Sequence, residues 1–326
     1  MCKIIGEDYG KELLTDSFLN TRIDLRRVIL NNSMASEGDT FPPQQQDTQP
    51  GKQYLMTPLP ISVDPNYKPS NKLQGKVALV TGGDSGIGRA VCYYFSLEGA
   101  TVAFTYVPGQ EDQDANDALA LIKQAKASDA SDPVAIPTDL RSEAQCQQVV
   151  EQVASLFGRI DVLVNNAAVQ FYTESILDIT EEQLKRTFET NIYAYIFMAR
   201  ESLKHMKEGS AIINTTSVVA YAGNADLLDY SCTKGAIVTF TRSLALQLLK
   251  QGIRVNGVAP GPIWTPLQVA SLPVDKVVNF NSEAPIGRAG EPFEMAPSYV
   301  FLASNECSSY ITGQVIHPNG GSIVNG

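Results

Sequence analysis

From residue 76 onward the chain alternates two hydrophobic patterns. Short, nearly continuous apolar runs occur at KVALV (76–80), TVAFTY (101–106), DPVAIPTD (132–139), IDVLVNNAA (160–168), SAIINTT (210–216), IRVNGVAPG (253–261) and QVIHPNGG (314–321). Between them, 89–100, 113–128, 142–157, 180–207 and 230–249 carry apolar residues at helical spacing. Apolar strands alternating with amphipathic helices predict an α/β fold, a single doubly wound parallel sheet with helices on both faces. Ligands of such sheets bind beyond the carboxyl ends of the strands. Thr81, Tyr106, Asp139, Asn166, Ser217 and Pro260 fall at or near those ends.

The first 70 residues lack this rhythm. Residues 1–33 mix Lys and Arg with Asp and Glu, which fits neither an acid-poor transit peptide nor a secretory signal with an apolar centre. Met34-Ala35-Ser36 offers an internal start. Residues 40–69 are rich in Gln and Pro (FPPQQQDTQPG, MTPLP), the composition of an extended arm with no core of its own. The expected organisation is a partly disordered leader and arm over 1–70, the arm lying on the body or on a partner subunit, followed by one domain over 71–326.

Composition narrows the classes of function. Of 326 residues, 44% are hydrophobic and 18% charged, as in soluble globular proteins. A formal net charge of -10 speaks against a nucleic-acid partner, and the longest apolar runs, such as 77–80 and 160–164, are too short to span a bilayer, so no membrane partner is expected. Cys2, Cys92, Cys146, Cys232 and Cys307 are scattered without paired spacing. That fits a reducing compartment, the cytoplasm or, alternatively, a plastid. His205 and His317 are the only histidines, which leaves little material for a metal site or a Ser-His-Asp triad.

Two segments carry candidate chemistry. TGGDSGIG (81–88) follows the first strand and opens the first helix, with glycines at Gly82, Gly86 and Gly88. A tight turn there lets main chain approach a pyrophosphate at a helix N-terminus, where free N–H groups and the dipole favour an anion, as in the Rossmann fold. The second segment places Ser217 after a strand, Tyr230 thirteen residues later and Lys234 four residues after that. Positions i and i+4 share a helix face. A neighbouring ammonium favours the ionised phenol, so Lys234 is expected to bring Tyr230 down toward the operating pH from its free value of about 10. Ser217 would hydrogen-bond the oxygen of a carbonyl or alcohol while Tyr230 exchanges the proton. Alone, Tyr-x-x-x-Lys also occurs on ordinary amphipathic helices.

Taken together, Thr81-Gly82-x-x-x-Gly86-Ile87-Gly88, Asn165-Asn166-Ala167-Ala168, Asn191, Ser217, Tyr230-x-x-x-Lys234 and Pro260-Gly261 resemble, in order and spacing, the single-domain short-chain dehydrogenase/reductases. TGGDSGIGRAV and YKPSNKLQGKVALVTGG look like a plant branch that includes glucose-and-ribitol dehydrogenase homologues and NADPH-dependent aldehyde reductases. The resemblance implies an NAD(P)-dependent oxidoreductase acting on CH–OH or C=O groups of a small carbonyl or alcohol. It implies Tyr230 as catalytic acid/base, Ser217 as binder of the substrate oxygen, and Lys234 as binder of the nicotinamide ribose that also lowers the phenol's pKa. Asn191 would interrupt its helix and hold a water that relays protons to Lys234. For the cofactor it implies Gly82, Ser85, Gly86, Ile87 and Gly88 in the turn, Tyr106 by the adenosine ribose, Asp139 and Leu140 by the adenine, and Asn166 on the adenosine side. Pro260 and Gly261 would also border the cofactor, and Ile263 and Thr265 after them would hold the carboxamide. Ala168 departs from the family's usual Gly and is expected to tighten the cleft by one methyl. An enoyl reductase spaces its Tyr and Lys farther apart, and a non-catalytic dinucleotide sensor would not need this set.

Cofactor, substrate and assembly follow less directly. Tyr106 stands where NAD-selective members carry an acid; Ser85 and Val107 stand where NADP-selective members often carry a base, and Glu111 and Asp112 would repel a phosphate. The branch resemblance points to NADP, with NAD the alternative. Residues 263–290 read as a lid whose apolar face, Trp264, Leu267, Val269, Leu272, Val277, Val278 and Phe280, would meet Phe171, Tyr172, Val218 and Tyr221 across the substrate. Aldehydes are then expected ahead of sugars. A polar pocket lined by Gln170, Asn224 and Asp226, suited to a sugar or polyol, is the alternative. Segments 180–207 and 230–249 are apolar around more of their circumference than one sheet contact needs, which points to a homodimer or homotetramer.

Overall fold

The computed structural model describes Ser36 and residues 39–282 and 284–324; the leader at 1–33 and the start at Met34 lie outside them. Seven parallel strands form one sheet: β1 (Val77–Val80), β2 (Thr101–Tyr106), β3 (Val134–Pro137), β4 (Val162–Asn165), β5 (Ala211–Thr215), β6 (Arg254–Val258) and β7 (Val315–Ile316). They lie in the order β3-β2-β1-β4-β5-β6-β7. The chain winds outward from β1 to β3, then returns to lay β4 against β1. That reversal opens a crevice beyond the carboxyl ends of β1 and β4.

Both faces of the sheet are covered, which is why its strands are apolar without alternation. Ala78 and Val80 of β1 pack on one side, with α1 (Gly86–Leu97), α2 (Asp112–Ala125) and α10 (Pro292–Ala303). Val77 and Leu79 pack on the other. There the cover is α3 (Glu143–Phe157), α5 (Ala194–Ser202) and α7 (Leu228–Leu248). Remaining helices are α4 (Glu181–Phe188) and the short α6 (Val219–Ala222), α8 (Pro266–Val269), α9 (Val274–Asn279) and α11 (Asn305–Ser308). Among the described residues no helix is long and apolar enough to cross a membrane.

Several boundaries differ from the hydrophobic pattern. The strands are shorter, because the apolar runs continue into the loops that follow: β4 ends at Asn165 and β7 is only two residues. Helix α1 begins at Gly86, so the glycine turn supplies the helix's own first residues. The single helix expected over 180–207 is divided into α4 and α5 by a π-helical turn, Glu189–Tyr193, centred on Asn191.

A third apolar cluster lies outside the sheet. Phe41 and Met56 of the arm pack with Trp264, Val269, Leu272, Val277, Phe280 and Ala289. Phe41 stacks on Trp264 with centroids 3.7 Å apart and rings 5° from parallel. The Trp264 indole N–H donates to the Pro58 carbonyl at 3.0 Å, giving the buried ring its polar partner. The described part of the arm therefore lies along the body as a strap.

Candidate active site

Helix α7 carries Tyr230 and Lys234 one turn apart on the face toward β5, and both are buried. The Lys234 ammonium donates to the Thr215 carbonyl at 2.9 Å and sits 5.3 Å from the centroid of the Tyr230 ring. Thr216 ties strand to helix by donating its hydroxyl to the Lys234 carbonyl at 2.8 Å. Ser217, two residues beyond β5, hydrogen-bonds the Tyr230 phenol and accepts from the Val219 N–H at 3.3 Å. The three side chains converge on one end of a cleft of about 580 Å³.

Burial moves the two ionisable groups in opposite directions. The Tyr230 phenol is raised well above its ordinary value, with the Ser217 hydrogen bond working against that rise. The Lys234 ammonium is pushed down to about 7, because burial disfavours its charged form. The sequence expectation that Lys234 would lower Tyr230 is thus corrected: both groups lie in the interior, and desolvation is the dominant cause of each shift.

Asn191 does not line the cleft. Its amide closes a two-way pair with the Val169 main chain, accepting from N–H and donating to C=O at 2.9 Å each, and also donates to the Thr233 hydroxyl at 3.1 Å. Thr233 in turn donates to the Tyr230 carbonyl at 2.7 Å. The side chain thereby joins the loop after β4 to the helix that bears Tyr230.

The other end of the cleft is formed by Gly82, Ser85, Gly86 and Ile87, with Tyr106, Asp139, Leu140 and Asn166 around it, while Pro260, Gly261, Ile263 and Thr265 line it as well, Thr265 lying against Gly86. Of the catalytic and cofactor-binding residues expected at the site, only Asn191 and Gly88 are not in its wall. Gly88 sits behind the turn: a Cβ there would come within 1.9 Å of the Gly82 carbonyl oxygen. The turn thus has the close main-chain packing that a dinucleotide cradle needs, at the start of a helix whose dipole favours an anion. Asn166 braces it, donating to the carbonyls of Thr81 and Gly82 at 3.1 and 3.2 Å. Asp139 is held by Arg141, whose Nε donates to both carboxylate oxygens at 3.0 Å.

Sequence reasoning missed two features. Gln49, Pro50 and Gly51 of the arm line the cleft, although a Gln/Pro-rich stretch without periodicity gave no sign of it. Beside Tyr106, Asp84 and Glu111 are both buried and hydrogen-bonded to each other, and burial raises both carboxyls, Glu111 further because Asp84 repels its charge. Glu111 also accepts from the Val107 N–H at 2.7 Å. The expected lid face is corrected too. Trp264, Val269 and Val277 are spent on the arm, leaving Leu267, Leu272 and Phe280 at the cleft. Of the facing residues Tyr172 and Val218 line the cleft, whereas Arg186 lies over the Phe171 ring and Tyr221 packs against His317. Gln170, Asn224 and Asp226 line it as well. Among the described residues no group of three or more His, Cys, Asp or Glu is arranged to hold a metal ion.

A family model described as enoyl-(acyl carrier protein) reductase matches residues 82–322. A carrot protein named glucose and ribitol dehydrogenase is 64% identical over 293 residues, covering 90% of this chain and all of that one. The chain belongs to the short-chain dehydrogenase/reductase family. Within that family it is also similar to the Arabidopsis thaliana protein named NADPH-dependent aldehyde reductase 1, chloroplastic, at 63% identity over 86% of this chain and 98% of that one. Among solved structures, a short-chain dehydrogenase from Burkholderia cenocepacia in complex with NADP superposes with a TM-score of 0.69 at 31% identity, over 77% of this chain and 98% of that one.

Proposed function

We propose that this short-chain dehydrogenase/reductase is an NADPH-dependent reductase of small carbonyl compounds, aldehydes foremost. The observation that carries the reading is the meeting of Ser217, Tyr230 and Lys234 at one end of a cleft whose other end is a glycine turn at a helix N-terminus. In this reading the hydroxyls of Ser217 and Tyr230 bind the carbonyl oxygen. A nicotinamide held in the cleft would supply the hydride that the carbonyl carbon accepts. Tyr230, kept protonated by burial, donates its proton to the oxygen as negative charge develops there. Lys234, fixed by the Thr215 carbonyl, binds the ribose and resupplies the proton. Because the Asn191 amide is engaged with Val169 and Thr233, the relay water assigned to that turn would be held by main chain, which a π-helical turn frees from the regular ladder. The four-residue separation of Tyr230 and Lys234 favours carbonyl over enoyl reduction.

NADPH rather than NADH is supported by the Arabidopsis relative, named for its NADPH dependence, and by the Burkholderia dehydrogenase, solved in complex with NADP. Asp84 and Glu111 beside Tyr106 argue for the alternative, NADH. The ratio of kcat/KM with the two cofactors tests this, and a strong preference for NADH reverses it. A second reading, oxidation of a sugar or polyol at the same site, is favoured by one observation: Gln170, Asn224, Asp226 and Gln268 give the cleft polar walls beside Leu267, Leu272 and Phe280. Steady-state kinetics with hexanal, benzaldehyde, glucose and ribitol separate the two. We expect the highest kcat/KM for an aldehyde; a higher value for either sugar overturns the first reading. We further assign the chain to a homo-oligomer and to the cytoplasm, with the plastid as the alternative that the chloroplastic relative supports.

A further inference from the structure

The arm runs across the mouth of the cleft and is fastened on both sides of it. On the lid side, the N–H groups of Phe41 and Gln46 donate to the carbonyls of Val278 and Val269 at 3.1 and 2.7 Å. In the middle, Gln49 accepts from the Gln170 N–H at 3.0 Å and donates back to the Gln170 carbonyl, while Arg186 donates to the Gln49 carbonyl at 2.8 Å. Gly51 lies so close to α8 that a Cβ there would stand 2.3 Å from the Pro266 carbonyl oxygen. On the far side the buried Gln53 reaches the glycine turn, its amide oxygen accepting from the Gly86 N–H at 2.8 Å. The N–H groups of Gln53 and Tyr54 donate to the Asp114 carboxylate at 2.7 and 3.1 Å, and Arg89 closes the set by donating to Asp114 at 2.9 Å and to the Asp84 carbonyl at 2.6 Å.

The first N–H groups of a helix have no partner within it. In α1 the outermost of these, at Gly86, is satisfied by a neutral amide oxygen from a segment that lies before the sheet begins. Gly86 has φ +50°, a left-handed conformation open to glycine, and the Gln53 amide oxygen is the partner that fixes the direction of its N–H. We propose that residues 49–51 of the arm are a wall of the dinucleotide site and that Gln53, behind it, is a positioning residue, holding the glycine turn in the geometry that binds the pyrophosphate. Dinucleotide affinity is then set in part by the arm. The inference rests on the NAD(P)-dependent reading.

The test is equilibrium titration of the full-length protein with NADPH and with NADH, followed by cofactor fluorescence, together with kcat at saturating cofactor. Gln53→Met keeps volume and removes the acceptor; we expect both affinities to fall about 5–20-fold, because binding must then order a turn that Gln53 no longer holds, with kcat changed less than about twofold. Gln44→Met is the control, since Gln44 bonds only within the arm, to Pro42 and Thr57, and we expect its affinities to stay at the wild-type values. Gly51→Ala, which forces the strap off Pro266, should weaken binding as Gln53→Met does, and carries the test if Gln53→Met does not fold. Unchanged affinity in both Gln53→Met and Gly51→Ala overturns the proposal, as does an equal loss in Gln44→Met, which would make the arm's fold, not the contact with Gly86, responsible. A wild-type protein that binds neither dinucleotide overturns the cofactor reading and this proposal together.

Discussion

The phenol and ammonium at the centre of the cleft are held in the protonation states that suit carbonyl reduction. With its pKa raised, Tyr230 remains a proton donor through the neutral and mildly alkaline range, whereas oxidation of an alcohol needs the phenolate. The rate of reduction should therefore be insensitive to Tyr230 up to about pH 10, while the rate of oxidation climbs with pH over the same range; pH profiles of kcat/KM in the two directions check this. Tyr230→Phe keeps the ring and removes the proton, so activity should drop at least 10²–10⁴-fold, roughly the contribution of general acid catalysis, with NADPH binding retained. Lys234 gives a stability prediction of definite sign. Its folded pKa of about 7 lies below the ordinary value of 10.5, so between these the unfolded chain holds more protons and stability rises with pH. Below pH 7 the burial of its charge is a full cost, on the order of several kcal/mol, against about 1–3 kcal/mol for depriving the Thr215 carbonyl of its donor. Lys234→Met should therefore abolish activity yet unfold at a higher temperature than wild type at pH 6, the gain shrinking by pH 9. A lower melting temperature at pH 6 would show that the ammonium is stabilised by contacts stronger than the one to Thr215. Tyr230, Lys234 and the glycines were legible in the sequence because local spacing fixes their geometry. The direction of the Tyr230 shift was not, because it depends on how deeply the folded chain buries the ring.

At the scale of elements, amphipathic periodicity located five helical segments and the seven strands, but not where each stops, and it left α10 without a range. A hydrophobic run cannot show where a strand loses its hydrogen-bonding neighbour, so 160–168 read as a strand although β4 ends at Asn165. The arm was the larger omission. Its apolar anchors, Phe41 and Met56, stand singly among Gln and Pro, and their partners in the lid are more than 200 residues away, beyond the reach of any local pattern. The same gap explains the misread lid: without the arm that covers them, Trp264, Val269 and Val277 read as free for substrate. Phe41→Ala should cost about 3 kcal/mol, at the lower end for a buried phenylalanine because the strap is peripheral. Trp264 is the only tryptophan of the chain, so its fluorescence reports the strap directly. The expected outcome is a red-shifted emission and faster proteolysis within 40–60, with the circular dichroism of the sheet and helices retained. An unshifted emission would mean that Trp264 stays enclosed without Phe41.

At the scale of the whole molecule the outer surface repeats one feature that the sheet does not account for. Leu184 on α4, with Tyr193 and Ile196 in and just after the π-helical turn, are 43%, 48% and 40% exposed, and Leu246 and Leu249 at the end of α7 are 72% and 55% exposed. Scattered exposed leucines are ordinary, but these large apolar side chains stand on or beside α4, α5 and α7, helices that already bury other residues, and are the ones a second copy of the chain would cover. Such a contact is self-complementary under a two-fold axis, so the assembly expected is a dimer, or a tetramer built from a second two-fold axis. Light scattering at micromolar concentration should give at least twice the 35.3 kDa of one chain. Leu246→Lys, which sets a charge on the most exposed of these positions without touching the cleft, should shift the population toward smaller species. The substitution is conservative for the fold, because Leu246 already faces outward; its melting temperature measured at the lowest concentration, where wild type is also dissociated, should match wild type within about 2 °C. A wild-type chain that scatters as a monomer would show that these side chains stay in contact with water, and Leu246→Lys would then leave every measured property unchanged.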